Sequence, residues 1–159
     1  MLKKIHPIAG IIGFLTILTF WTATACSELF GSLESIAAVK AMILNGMFIL
    51  IPSMVIVGAS GISMGRHRKD APARAKKKRM PFIAANGLVI LLPAAFFLES
   101  RASVGTFDTA FYLVQVFELI AGAVNLSLMA LSIRDGLAMG RKRRAAMAGA
   151  KSRASNIPS

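Results

Sequence analysis

Gln115-Val116-Phe117-Glu118-Leu119-Ile120-Ala121-Gly122-Ala123-Val124-Asn125 lies inside an apolar run over residues 109–133 whose one charge is Glu118. On a helix, Gln115, Glu118, Gly122 and Asn125 follow spacings of three, four and three and fall on one stripe. The run is long enough to cross a bilayer, with Glu118 near its middle. A carboxyl group at that depth is costly against lipid, so the stripe is expected to face protein. Other helices must therefore cover it.

The rest of the chain supplies three such helices. Uncharged or nearly uncharged runs cover residues 5–27, 41–65 and 80–98, and with 109–133 they make four spans. The chain has 159 residues, 55% of them hydrophobic and only 16% charged, and its mean hydropathy is +0.65. Concentration of the apolar residues into four blocks separates a membrane protein from a soluble domain with a large core. The expected fold is all-α: an integral membrane four-helix bundle over residues 1–139, followed by a basic tail over 140–159 without regular structure.

The first run has a basic start, Lys3-Lys4, and ends Ala23-Thr24-Ala25-Cys26, features shared with a cleavable leader. Its apolar length exceeds the roughly 7–15 residues of a signal core, so it reads as a retained span. Ala23 also stands where a lipoprotein signal has a large aliphatic residue. Pro7 falls in its first turn, where a missing N–H costs little. Pro52 and Pro93 lie inside the second and third runs and predict kinks there. Residues 27–39 read as a connection, with Lys40 bounding the second run, and Gly105 marks a turn in the connection over 99–108.

Charge placement sets the orientation. Of 19 Lys and Arg residues, 17 lie at the amino terminus, in the loop over residues 66–79 or in the carboxyl-terminal segment from Arg134 onward. Only Lys40 and Arg101 fall in the other two connections, opposed by Glu28, Glu34, Glu99 and Asp108. The positive-inside rule then puts both termini in the cytoplasm. The net charge of +12 flanks apolar spans, so Arg66, Arg68, Lys76, Lys77, Lys78, Arg79, Arg141, Lys142, Arg143 and Arg144 are candidate contacts to anionic lipid headgroups, and nucleic acid is not expected as a partner.

Glu118 has the best claim to chemistry. Burial disfavours its charged form, and no cation is expected at its depth. It is expected to be an uncharged, hydrogen-bonded carboxyl group or one that exchanges protons. Gln115 and Asn125 share its stripe, and the hydroxyls of Thr16, Thr19 and Thr22 on the first helix are candidates to answer it across the bundle. His6 and His67, the two histidines, both fall at the cytoplasmic boundary, as axial ligands of a b-type haem would. Against that, Gly65-Arg66-His67-Arg68-Lys69 is the setting of a solvated loop. Trp21 and Tyr112 are expected as anchors near the outer boundary. The single Cys26 excludes an intramolecular disulfide, and no zinc, nucleophile-elbow or phosphate-loop motif occurs.

Asn45-Gly46-Met47-Phe48-Ile49-Leu50-Ile51-Pro52 in the second run is echoed by Asn86-Gly87-Leu88-Val89-Ile90-Leu91-Leu92-Pro93 in the third. Five of eight positions match, in helices expected to run in opposite directions, as in the inverted repeats of transporters. Common residues of spans give the same match without any such relation.

Four segments carry a resemblance: His6-Pro7-Ile8-Ala9-Gly10, Ser27-Glu28-Leu29-Phe30-Gly31, Lys78 to Gly87, and Glu118 to Asn125. In these the chain resembles short, uncharacterised four-span inner-membrane proteins of proteobacteria, up to about Gly140. The resemblance implies fold and a bacterial inner-membrane location and transfers no catalytic residue. Three functions stay open. The first is a non-enzymatic scaffold or partner-binding subunit, in which Glu118 is structural. The second is a proton or small-solute carrier or channel using Glu118, for which a homodimer is attractive. The third is a haem-binding electron carrier using His6 and His67. An enzyme is the weakest reading, since no acid, base and nucleophile group at one depth.

Overall fold

The computed structural model describes residues 2–65 and 79–155. Every regular element among them is helical. The elements are α1 (Leu2–Phe30), α2 (Leu33–Gly65), α3 (Arg79–Ala102) and α4 (Thr109–Ser155), and all four contain stretches long and apolar enough to cross a membrane.

The helices form a ring in chain order. α1 packs on α2, α2 on α3, α3 on α4 and α4 on α1, while the diagonal pairs make no close backbone approach among the described residues. α1 and α2 are joined only by Gly31 and Ser32. The Gly31 amide donates to the Ser27 carbonyl at 2.9 Å, and a Cβ on Gly31 would stand 2.6 Å from that same oxygen, so the turn admits glycine alone. Ser32 then caps α2, its Oγ accepting from the Ser35 amide at 3.2 Å. The antiparallel register that follows sets His6 against Ser60, Gly10 against Val57, Gly13 against Ser53, and Gly46 under the Phe20 ring. Small residues at these positions let the two backbones approach.

This turn corrects the second span. α2 starts at Leu33, eight residues before Ala41, because Ser32 supplies the cap and Leu33, Ile36 and Ala37 already follow helical apolar spacing. Lys40 therefore lies within the helix. It occupies an inward stripe with Ile36, Ile43 and Met47, all buried.

α3 differs from α2 in its backbone. Residues Asn86–Leu91 are π-helical, and the Leu92 amide donates to the Gly87 carbonyl five residues back. Pro93 explains the place: its ring crowds the carbonyl of Val89, and widening the preceding turn relieves that. α2 stays α-helical through Pro52, so the two echoed segments do not share a local structure. Asn45 bonds the Ala41 carbonyl of its own helix, whereas Asn86 donates across to the Ala121 carbonyl of α4 at 2.9 Å.

α3 and α4 are joined by a turn in which Gly105 takes φ +70, a left-handed conformation that favours glycine. Asp108 caps α4 by accepting from the Phe111 amide at 2.9 Å and pairs with Arg101 at 2.6 Å. α4 does not stop near Gly140, and the irregular tail expected there is replaced by helix as far as Ser155. Ala, Lys and Arg are strong helix formers, and this segment is rich in them.

Burial is inverted relative to a water-soluble bundle. Ile8, Leu15, Phe48, Ile49, Phe82, Val89, Leu113 and Ile120 are exposed, while Lys40, Asn125, Gln115, Ser60 and His6 are buried. Among the largest fully buried side chains, Lys40 and Asn125 stand beside Phe111 and Leu98.

Candidate functional site

The inward stripe of α4 runs through Phe111, Gln115, Glu118, Gly122 and Asn125. Lys40 reaches it from α2 across the ring diagonal, and its Nζ lies 3.0 Å from Glu118 Oε2. Its side chain is 1% exposed and that of Glu118 13%. Gln115 Nε2 donates to the same carboxylate oxygen at 3.2 Å. The carboxyl group expected to lack a cation therefore has one. Lys40 stands at the edge of the apolar block 41–65 and so has the sequence appearance of a boundary charge.

Two apolar clusters bracket this pair. On one side are Ile36, Leu98, Ala102 and Phe111; on the other are Ile43, Met47 and Ala95. The first closes the bundle end that carries both short turns, and the second borders the interior beyond the pair. Glu28, on the last turn of α1, interacts electrostatically with both Lys40 and Glu118, and its buried Oε1 has no hydrogen-bond partner. Gln115 Oε1 is likewise buried without a partner. Glu28, Lys40, Gln115 and Glu118 thus form one polar layer.

The threonines do not join it. Thr16 and Thr22 donate to the Ile12 and Leu18 carbonyls of their own helix, and Thr19 is exposed. Thr24 is the α1 hydroxyl that is buried, and it lines the same cavity as Glu118. Trp21 turns toward the bundle interior. Its Nε1 donates to the Leu119 carbonyl at 2.9 Å, and its ring covers Gly122, where a Cβ would meet Cδ1 at 2.8 Å.

Beyond the polar layer, away from the short turns, lies a cavity of about 300 Å³ bordered by all four helices. Its walls are apolar except at Glu118, Thr24 and Asn125. Asn125 is 1% exposed, and both its Oδ1 and its Nδ2 lack a hydrogen-bond partner. Compared with models of known families, with curated proteins and with solved structures, the chain finds no match.

At the opposite end, His6 is buried and its Nδ1 hydrogen-bonds Ser60 Oγ at 2.8 Å. His67 lies outside the described residues, as do Arg66, Arg68, Lys76, Lys77 and Lys78. No group of three metal-ligating side chains occurs among the described residues. Of the basic residues singled out for headgroups, Arg79 instead pairs with Asp135 of α4 at 2.7 Å. Arg141 and Arg144 are exposed on the α4 extension.

Proposed function

We propose that the chain is a four-span integral membrane protein of a bacterial inner membrane, with both termini cytoplasmic, that serves as a non-enzymatic scaffold or partner-binding subunit. Inverted burial supports membrane residence, since exposed Ile, Leu and Phe on every side are unfavourable in water and neutral against lipid tails. Orientation rests on the positive-inside distribution. The basic loop and tail then lie against anionic headgroups.

The observation that carries the structural role is the Lys40–Glu118 pair across the bundle centre. A carboxylate that accepts from an ammonium group on α2 and an amide on α4 ties the diagonal helices together. That favours a framework over a proton path. The apolar exterior is then the surface on which a second copy or another membrane protein packs.

Proteoliposomes loaded with a pH-sensitive dye and driven by a potassium diffusion potential test this reading. A framework protein gives proton flux equal to that of protein-free vesicles, with and without Glu118→Gln. Flux above that background, abolished by Glu118→Gln, would replace the scaffold by a carrier.

A further inference from the structure

We infer that the central cavity is a binding site for a neutral lipid alcohol, an apolar chain ending in a hydroxyl group, that enters sideways between α2 and α3. Asn125 carries the argument for a ligand. A buried carboxamide with both donor and acceptor unmet is costly, and native structures pair such groups. It borders the cavity, so the missing partner belongs there. A hydroxyl both donates and accepts and so meets both atoms of the amide. Glu118 Oε1, which takes no hydrogen bond among the described residues, offers a further acceptor on the same wall.

The head group should be neutral. Glu118 already has Lys40 as its ion partner and no other charged side chain borders the cavity, so a charged head would enter a low-dielectric site without a counter-ion. The remaining lining is apolar, including Phe20, Met54 and Leu91, which suits a hydrocarbon chain. A volume of about 300 Å³ lies at the lower end of small-molecule sites. From Ile43 to Gly58 the cavity follows α2 for fifteen residues, roughly 22 Å at the helical rise. That shape is long and narrow.

The entrance is set by the backbone. α3 stays close to α2 along Leu92–Ala102, but at its π-helical turn the two backbones stand apart and only the flexible Met54 side chain reaches across to Gly87. Of the lining residues, the exposed ones are Ile51, Val55 and Leu88, all on this side, whereas those from α1 and α4 are covered. The gap is apolar, so an entering molecule comes from lipid and not from water. Lateral entry rests on the membrane-spanning reading, whereas occupancy of the cavity does not.

Trp21, the single tryptophan, lines the cavity and reports on it. The test uses the full chain in mild detergent, with a terminally brominated undecanol as quencher and bromoundecane as its headless counterpart. Gly58→Phe blocks the space, since a side chain there meets nothing within 4 Å. Asn125→Leu removes the polar partner. Circular dichroism and elution volume establish that both variants fold.

Saturable quenching by the alcohol is expected, at least ten-fold weaker for bromoundecane and for Asn125→Leu, and absent in Gly58→Phe. A resident membrane lipid would give a second sign, a hydroxyl-bearing lipid that co-purifies with the parent and is missing from Gly58→Phe by mass spectrometry. Non-saturable quenching that is equal in parent and Gly58→Phe, with no such lipid, overturns the proposal. So does saturable quenching indifferent to the hydroxyl and to Asn125. Because the assay needs no bilayer, its failure leaves the membrane-spanning reading standing.

Discussion

Lys40→Met removes the cation that holds Glu118 and leaves the carboxyl group buried at 13% exposure with only Gln115 as partner. At a separation of 3.0 Å the pair attracts by roughly 5–6 kcal/mol at an effective dielectric of about 20, before desolvation is subtracted. Removing one member strands the other, and such changes cost about 3–5 kcal/mol. Glu118→Gln takes from Lys40, the more deeply buried member, its hydrogen-bonded carboxylate and leaves it only the longer-range interaction with Glu28, so it should also destabilise, although an uncharged carboxyl group would have tolerated it. Replacing both, Lys40→Met with Glu118→Gln, removes both charges and leaves two amides able to bond each other. The double variant should stay within roughly 2 kcal/mol of the parent, giving a coupling of at least about 4 kcal/mol. The assay is unfolding by sodium dodecyl sulfate in mixed micelles, followed through Trp21 emission, which reports the α1–α4 contact. If the double variant loses the sum of the two single losses to within about 0.5 kcal/mol, the pair is uncoupled and the account of the site is wrong.

Three further predictions use the same assay or its thermal counterpart. Gly46→Leu drives a side chain into the Phe20 ring and should cost about 1–3 kcal/mol by overpacking. Trp21→Phe leaves the Leu119 carbonyl without its side-chain donor and should cost about 1 kcal/mol, measured by circular dichroism because the fluorophore is gone. Asp108 is held below the usual carboxylate range, chiefly by the Phe111 amide and then by Arg101. Its contribution is therefore complete above the ordinary value of about 3.9 and fades as pH falls through the lower folded value. The thermal midpoint of the parent should fall over that acid window, and the midpoint of Asp108→Asn should lack that part of the fall.

Hydropathy alone reveals the four long apolar helices, because each run exceeds the length a core helix needs. It also places Gln115, Glu118, Gly122 and Asn125 on one stripe, since a period of 3.6 admits no other arrangement. What hydropathy hides is Lys40. A charge at the edge of an apolar block looks like a boundary, and only the cap at Ser32 shows that the helix began two turns earlier. Ile36, Lys40, Ile43 and Met47 at spacings of four, three and four were the available signal, a lysine on an apolar stripe. The threonines misled for a related reason. A helical stripe says which residues share a face but not which face turns inward, and Thr16 and Thr22 satisfied themselves on their own backbone. The cavity was out of reach of sequence. It depends on the π-helical turn before Pro93 and on how far α3 stands from α2, a tertiary spacing no local pattern encodes.

In the proposed topology the chain crosses the membrane four times with both ends on the cytoplasmic side. The most direct test labels single cysteines in intact cells with a membrane-impermeant maleimide, in a Cys26→Ser background. Ser103→Cys, in the α3–α4 turn, should react in intact cells, and Ala146→Cys, on the α4 extension, should react only after the membrane is opened. Labelling of Ala146→Cys in intact cells, or protection of Ser103→Cys until permeabilisation, would contradict the account.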